Sequence, residues 1–300
     1  MNPFPFSDDN KRYHTLAYHN RHTYGRRVYK ATLDAHMTCP NKGGCIYCAP
    51  ACDKRTLSEQ WDAECERIRA KDANAKICAY FGVGSNTNCP PETLSDLLET
   101  AKKLGAFTVS IATRADCLDE HKARILAELR LPLTVELGLQ TVHDQTAALI
   151  NRGNGFGEFI RAFELLRSHK IRVCVHIING LPGETREMMT ETARVLGRLR
   201  PDGVKIHSLH VLRGTRLFEM YRRGEVTLLE RDEYINITAR QLELLPPETV
   251  IERVTGDGDK TLLAAPIWSA DKIAVLGGLD KRLAELDTYQ GKLFDNSRKN

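Results

Sequence analysis

Along the chain, short runs of β-branched and apolar residues alternate with longer stretches whose apolar positions recur every three or four residues. The short runs predict strands over 28–36, 76–83, 106–112, 131–139, 171–178 and 203–212. Between them the longer period predicts helices near 57–71, 92–104, 119–130, 156–169 and 185–200. In the fourth of these helices Phe159, Ala162, Phe163, Leu165 and Leu166 fall on adjoining stripes. The fifth opens at Thr185, a residue type suited to an N-cap, and turns Met188, Met189, Ala193, Leu196 and Leu199 inward.

Six βα units in succession predict a parallel sheet, which right-handed crossovers curl or close. Six rather than eight points to a partial (β/α)6 TIM-like barrel of class α/β. A doubly wound sheet is the alternative, but no Gly-x-Gly-x-x-Gly follows the first strand. Beyond residue 215 the pattern turns mainly helical, near 216–223, 230–244 and 269–286. A short β-like run over 250–255 there is suited to a seventh edge strand, and Asp257 and Asp259 read as turn residues. The expected organisation is an N-terminal arm over 1–27, a barrel over 28–215, and a C-terminal cap and tail over 216–300. The arm interleaves Tyr13, His14, Tyr18, His19, His22, Tyr24, Arg26 and Arg27, which suits either stacking on nucleic acid or a cap over the first strand.

The unusual polar residues gather at the C-terminal ends of the predicted strands. Cysteines follow strand one, Gly82-Val-Gly84-Ser85 follows strand two, and Arg114 and Asp116 follow strand three. Glu136 and Gln140 end strand four, Gly180 to Glu184 follow strand five, and Lys205, His207 and His210 lie on strand six. Parallel βα folds place their active sites at this end, because the loops there converge on one mouth.

Composition narrows the class. The chain has 300 residues, and 42% apolar content supplies a large core. No run is long enough and apolar enough to cross a bilayer, and the N-terminus lacks the basic-then-apolar pattern of a signal peptide, so a cytoplasmic location with no membrane association is expected. Net charge is +4, which permits a polyanionic partner without requiring one. Nine cysteines are an odd number for a disulfide framework in so long a chain, which favours metal or catalytic use.

Four of the nine, Cys39, Cys45, Cys48 and Cys52, fall within fourteen residues, with gaps of five, two and three. Structural zinc usually takes two separated pairs, and a ferredoxin-type carrier uses C-x2-C-x2-C-x3-C-P; this loop matches neither. Three thiolates on a [4Fe–4S] cluster would leave one iron open. The amino and carboxylate groups of S-adenosylmethionine are suited to that position.

Gly43-Gly-Cys45-Ile-Tyr47-Cys48, Glu136-Leu-Gly-Leu-Gln140-Thr, Asn151-Arg-Gly153, Gly180-Leu-Pro-Gly-Glu184-Thr and His207-Ser-Leu-His210-Val carry a resemblance. From Lys30 through Gly291 the chain resembles the radical S-adenosylmethionine superfamily and, within it, the YhcC-like branch related to the radical domain of the Elongator catalytic subunit. The resemblance implies that Cys39, Cys45 and Cys48 ligate the cluster and that Tyr47 contacts the adenine. It implies that Gly82, Gly84 and Ser85 meet the methionine end, that Glu136 binds the ribose hydroxyls, and that Gly180 and Glu184 support the adenine. The superfamily's usual spacing is C-x3-C-x2-C, so the five-residue first gap departs from it and keeps Cys45, Cys48 and Cys52 as an alternative set. Ala115 stands where relatives often have proline.

The branch further implies a tRNA substrate, with chemistry on the carbon-5 side chain of the wobble uridine and, specifically, trimming of carboxymethylaminomethyl to aminomethyl. A low-potential donor such as flavodoxin or ferredoxin would supply electrons. The length leaves no room for an appended acetyltransferase domain. Radical chemistry on a small molecule or peptide is one alternative; a zinc or iron–sulfur binding protein without turnover is another. Arg114, Gln140, Lys205, His207 and His210 are candidate substrate contacts, although Arg114 and Asp116 also read as a loop ion pair. Lys205 and His207 share one strand face and His210 takes the other if alternation holds, with at least one histidine structural. Cys65, Cys78, Cys89 and Cys174 read as small buried hydrophobes. Cys117, near the mouth, is the candidate hydrogen-atom donor.

Overall fold

The computed structural model describes residues 4–49, 53–256, 258 and 261–295; Cys52, Asp257 and Asp259 lie outside them. Seven parallel strands form one sheet in the order β1 (Val28–Leu33), β2 (Lys76–Phe81), β3 (Thr108–Arg114), β4 (Leu133–Gln140), β5 (Arg172–Asn179), β6 (Gly203–Ser208) and β8 (Val250–Arg253). Two short strands, β7 (Val211–Leu212) and β9 (Leu263–Ala265), pair antiparallel apart from it. The crossover helices are α2 (Leu57–Arg69), α3 (Pro91–Lys103), α4 (Glu120–Ala127), α5 (Asp144–Leu149), α6 (Phe156–Ser168) and α7 (Arg186–Leu199). Helix α1 (Leu16–Tyr24) precedes the sheet, and α8 (Arg216–Arg222), α9 (Arg231–Leu244) and α10 (Lys272–Glu285) come late in the chain. This is the partial TIM-like barrel expected, with 250–253 as its seventh strand.

Alternation along the strands separates two chemistries. One face carries Leu33, Phe81, Ile111, Val135, Leu137, Val173, Val175, Val204 and Ile206, all fully buried in one continuous core under the helices. Helix α6 adds Phe159, Ala162, Phe163 and Leu166 to that core, and α7 adds Leu196; of the other positions in the predicted stripes, Met189 and Ala193 are buried, and Leu165, Met188 and Leu199 are half-buried. Thr185 caps α7 by accepting from the Met188 N–H at 3.3 Å. The other face is polar: Lys30, Tyr80, Ser110, Glu136, His176, Lys205 and His207 project into the barrel.

The arm forms α1, which the sequence pattern missed. Thr15 caps it by accepting from the Tyr18 N–H at 3.1 Å. Thr15 also bridges to Ile251, and the Ile251 N–H donates to the His14 carbonyl at 2.7 Å. Leu16, His19, Asn20 and Tyr24 line a 260 Å³ cavity with Lys30, Arg172 and Glu252 at the N-terminal end of the strands. The arm is therefore a cap on the end away from the cysteines. Among the described residues no helix is long and apolar enough to cross a membrane.

Candidate active site

A 580 Å³ cavity opens at the C-terminal ends of the strands. Cys39, Cys45, Tyr47 and Cys48 form one wall. Gly82, Gly84 and Arg114 come from the next loops, Gln140 and Arg152 from the β4 side, and His176, His207, His210 and Arg253 from the far side. Of the residues singled out from sequence, this brings most into one space.

The cysteine loop is held by backbone hydrogen bonds and by two asparagine side chains. The Ile46 N–H donates to the Ile150 carbonyl at 3.0 Å and the Leu217 N–H donates to the Ile46 carbonyl at 2.8 Å. Asn151 Nδ2 donates to the Gly44 carbonyl at 2.6 Å, and Asn41 Nδ2 donates to the Asn151 carbonyl at 2.7 Å. Met37, just before the first cysteine, lies against Gly84: a Cβ there would stand 2.1 Å from the Met37 oxygen, and φ is +72°. Only glycine fits that approach.

Cys39 and Cys48 are exposed and Cys45 is half-buried, whereas Cys78, Cys117 and Cys174 are buried. Burial and the charges of Cys45 and Cys39 push the Cys48 thiol up. Arg114 sits in the field of Cys39 and Cys45. Among the described residues no three His, Cys, Asp or Glu side chains converge to hold one ion. Three thiols on one loop, presented to an open cavity beside a cation, suit a polynuclear cluster, in which each thiolate would bind a different iron. Tyr47 lines the same wall, and burial with the Cys45 charge pushes its phenol well up.

Arg114 makes its ion pair with Asp116, Nη2 to Oδ2 at 2.6 Å, and also donates to the Arg152 carbonyl at 2.7 Å. Burial works to raise the Asp116 carboxyl, but the Arg114 hydrogen bond and charge hold it below the usual range. Gln140 has φ +72° at a bulge in β4, which re-aims the strand end at the cavity. Strand β6 ends at Ser208, so alternation stops there and His210 joins His207 on the cavity wall instead of taking the opposite face. Ser208 Oγ lies 3.2 Å from His210 Nε2.

Glu136 lines the cavity, but from the middle of β4 rather than from its end, and is 1% exposed. Its Oε1 accepts from Lys30 Nζ at 2.5 Å and Ser110 Oγ at 2.8 Å, and its Oε2 accepts from His176 Nε2 at 2.9 Å and from Lys205. Four donors therefore share its two carboxylate oxygens, which hold it in place at the cavity floor. Several other expected residues sit elsewhere. Lys205 lies beneath the cavity, 2% exposed, rather than on its wall. Ser85 is fully buried and ties its loop to β3, accepting from the Arg114 N–H at 3.2 Å. A Cβ on Gly180 would meet Leu229 at 3.2 Å, and the Gly180 N–H donates to Met189 Sδ at 3.2 Å. Glu184 accepts from Thr141 Oγ1, and burial raises its carboxyl; neither Gly180 nor Glu184 lines the cavity. Cys117 is buried behind the wall on the 3-10 turn Ala115–Cys117, away from the lining expected of a hydrogen-atom donor.

Sequence reading missed Asn41, Tyr80, Arg152 and His176. Arg152 is 4% exposed, donates to the Gly138 carbonyl at 2.9 Å, and leaves Nε without a partner. Its motif, Asn151-Arg-Gly153, was visible but carried no assigned role. His176 shares strand parity with Cys174, which was the one signal available.

Comparison with known proteins agrees with this geometry. The pattern described as the Radical SAM superfamily matches residues 37–196, and that of the Radical_SAM C-terminal domain matches 201–285. The chain is 44% identical to the Bacillus subtilis protein YtqA, over 98% of this chain and 96% of that one. It is 29% identical to Escherichia coli YhcC, over 87% and 89%. It is 30% identical to a tRNA uridine(34) acetyltransferase of Methanocaldococcus infernus over 57% of this chain, which spans 32% of that protein. Among solved structures, the Methanocaldococcus infernus Elp3 lacking its N-terminus superposes with a TM-score of 0.70 at 22% identity, over 88% of this chain and 64% of that one, a likeness of fold. The chain belongs to the radical S-adenosylmethionine superfamily, enzymes that use a [4Fe–4S] cluster and S-adenosylmethionine.

Proposed function

We propose that this enzyme acts on tRNA, at the carbon-5 side chain of the wobble uridine, and that it trims carboxymethylaminomethyl to aminomethyl. The observation that carries the reading is the alignment of more than half the chain with a tRNA uridine(34) acetyltransferase. The cavity supports it. At 580 Å³ it is in the range of sites that enclose a small ligand, and it opens at the end of the barrel where an unpaired, splayed base can enter. The reaction belongs in the cytoplasm, with flavodoxin or ferredoxin as the class of electron donor.

Cys39, Cys45 and Cys48 would hold the cluster; Tyr47, Gly82 and Gly84 line the same part of the cavity and would bind S-adenosylmethionine. When bound, the two together would supply a 5′-deoxyadenosyl radical that takes a hydrogen atom from the methylene beside the carboxylate; loss of one more electron to an acceptor of the flavodoxin or ferredoxin class leaves an imine, which water splits into the aminomethyl group and glyoxylate. The protein's part is positional. Asn151 and Asn41 fix the cysteine loop, Gln140 at the β4 bulge and Arg114 border the entering base, and the buried floor excludes bulk water.

A nucleoside mass profile of tRNA from cells lacking the gene tests the substrate. Carboxymethylaminomethyluridine derivatives should accumulate at the expense of the aminomethyl series. An unchanged wobble-uridine inventory would count against tRNA as substrate and leave radical chemistry on a small molecule or peptide.

A further inference from the structure

The floor of the cavity carries a charge arrangement that cluster and S-adenosylmethionine binding do not account for. Inside the barrel Lys30 binds Glu136 at 2.5 Å and Glu252 at 2.9 Å, Lys205 binds Glu136, and Arg172 binds Glu252 at 2.9 Å. Three cations thus meet two carboxylates, and the carboxylates and Lys205 are almost fully buried, at 2% side-chain exposure or less. One positive charge is in surplus within this network. Both lysines also sit over the Tyr80 ring, at 4.9 and 4.8 Å, so the ring separates them from the open volume.

Above this network the imidazoles of His176 and His207 stack, with centroids 5.5 Å apart and planes within 22°. Both line the cavity. His176 donates its Nε2–H to Glu136 at 2.9 Å, which fixes the ring. His207 Nε2 is buried and has no hydrogen-bond partner. A buried polar atom without a partner costs free energy unless a ligand supplies one. Burial pushes the His207 imidazole well down, and the neighbouring His176, Arg253 and Lys205 push it further. The ring is therefore neutral and able to donate an N–H.

Resting on the carboxymethylaminomethyluridine reading above, we propose that this floor is the subsite for the carboxylate at the end of the substrate's side chain. His207 Nε2–H donates directly to it, Lys30 and Lys205 supply the field, and Glu136 with His176 holds the donor ring in place. A substrate without the carboxylate leaves His207 unpartnered and the surplus charge uncompensated, so the floor selects the untrimmed side chain over the trimmed product.

Two synthetic anticodon stem-loops, identical except for carboxymethylaminomethyl or aminomethyl on the wobble uridine, test this by fluorescence titration against the anaerobically reconstituted holoenzyme. The wild type should prefer the carboxylated RNA by at least about tenfold, the scale of a hydrogen bond to a charged group. His207→Leu should bring the two affinities together, and His207→Asn, which keeps a donor, should restore part of the preference. A His207→Leu protein with the wild-type preference overturns the floor proposal and leaves the uridine reading standing. So does a variant that keeps the RNA preference but loses S-adenosylmethionine binding, because the floor would then hold the methionine carboxylate. A wild type that binds neither RNA more tightly than an unmodified stem-loop overturns the uridine reading, and the floor proposal with it.

Discussion

Glu136 meets four donors with two oxygens, and its burial makes that arrangement depend on all of them. Burial alone would raise its carboxyl, but Lys30 and Lys205 outweigh it and hold the group well below the ordinary range. Removing the carboxylate leaves two lysines facing each other in the barrel. Glu136→Ala should destabilise the protein by about 3–5 kcal/mol, read from urea denaturation. A loss under about 1 kcal/mol would mean that the lysines reach water. The cysteines are a separate matter, because they are presented to the cavity rather than packed. Cys39→Ala, Cys45→Ala and Cys48→Ala should each lower the iron content after anaerobic reconstitution from about four per chain toward none, whereas Cys52→Ala should keep the cluster. Loss of iron in Cys52→Ala with retention in Cys39→Ala would shift the ligand set to Cys45, Cys48 and Cys52. Tyr47 and the cysteines could be read from sequence because their relation is local, a matter of spacing along one loop. The partners of Glu136 could not. Lys30, His176 and Lys205 reach it from three other strands, and no local pattern encodes which strands curl together.

The loop formed by Asn151, Arg152 and Gly153 acts as a clamp between elements. It follows α5, receives Asn41 and Arg114 through its carbonyls, and returns Asn151 to the Gly44 carbonyl. Asn151 has φ +52°, a conformation asparagine tolerates better than most residues. Asn151→Ala should therefore cost about 1–2 kcal/mol of stability and loosen the cysteine loop. The checks are the denaturation midpoint and the iron retained during desalting; unchanged iron retention would show that the clamp does not reach the cluster. At this scale the strands and the large helices were legible because their periods are long and clean. Helix α1 was hidden by its polar, aromatic-rich composition, although Thr15, which caps it, was in view. The β4 bulge at Gln140 and the early end of β6 were also hidden, since both depend on pairing with neighbouring strands. Those two irregularities are what turn Gln140 and His210 toward the cavity.

The molecule as a whole keeps neutral histidines at both ends of the barrel. Burial pushes His14 and His19 down at the closed end, His19 to about 4, and pushes His176, His207 and His210 down at the mouth, His210 to about 4. An unfolded histidine titrates near 6.5, so between that value and about 4 the unfolded chain binds protons that the folded chain does not. Stability is then complete above about pH 6.5 and falls as pH drops toward 4. The unfolding temperature of the cluster-free protein should be lower at pH 5.5 than at pH 7.5, and an equal or higher value would mean that these rings are hydrated.

The central claim joins the radical chemistry of the family to one side chain on one nucleoside. Its most direct test is a single anaerobic turnover experiment with reconstituted enzyme, reductant, S-adenosylmethionine and tRNA carrying carboxymethylaminomethyluridine at the wobble position. The account predicts that 5′-deoxyadenosine and aminomethyluridine appear together and in equal amounts. Release of 5′-deoxyadenosine with the wobble nucleoside unchanged would contradict it.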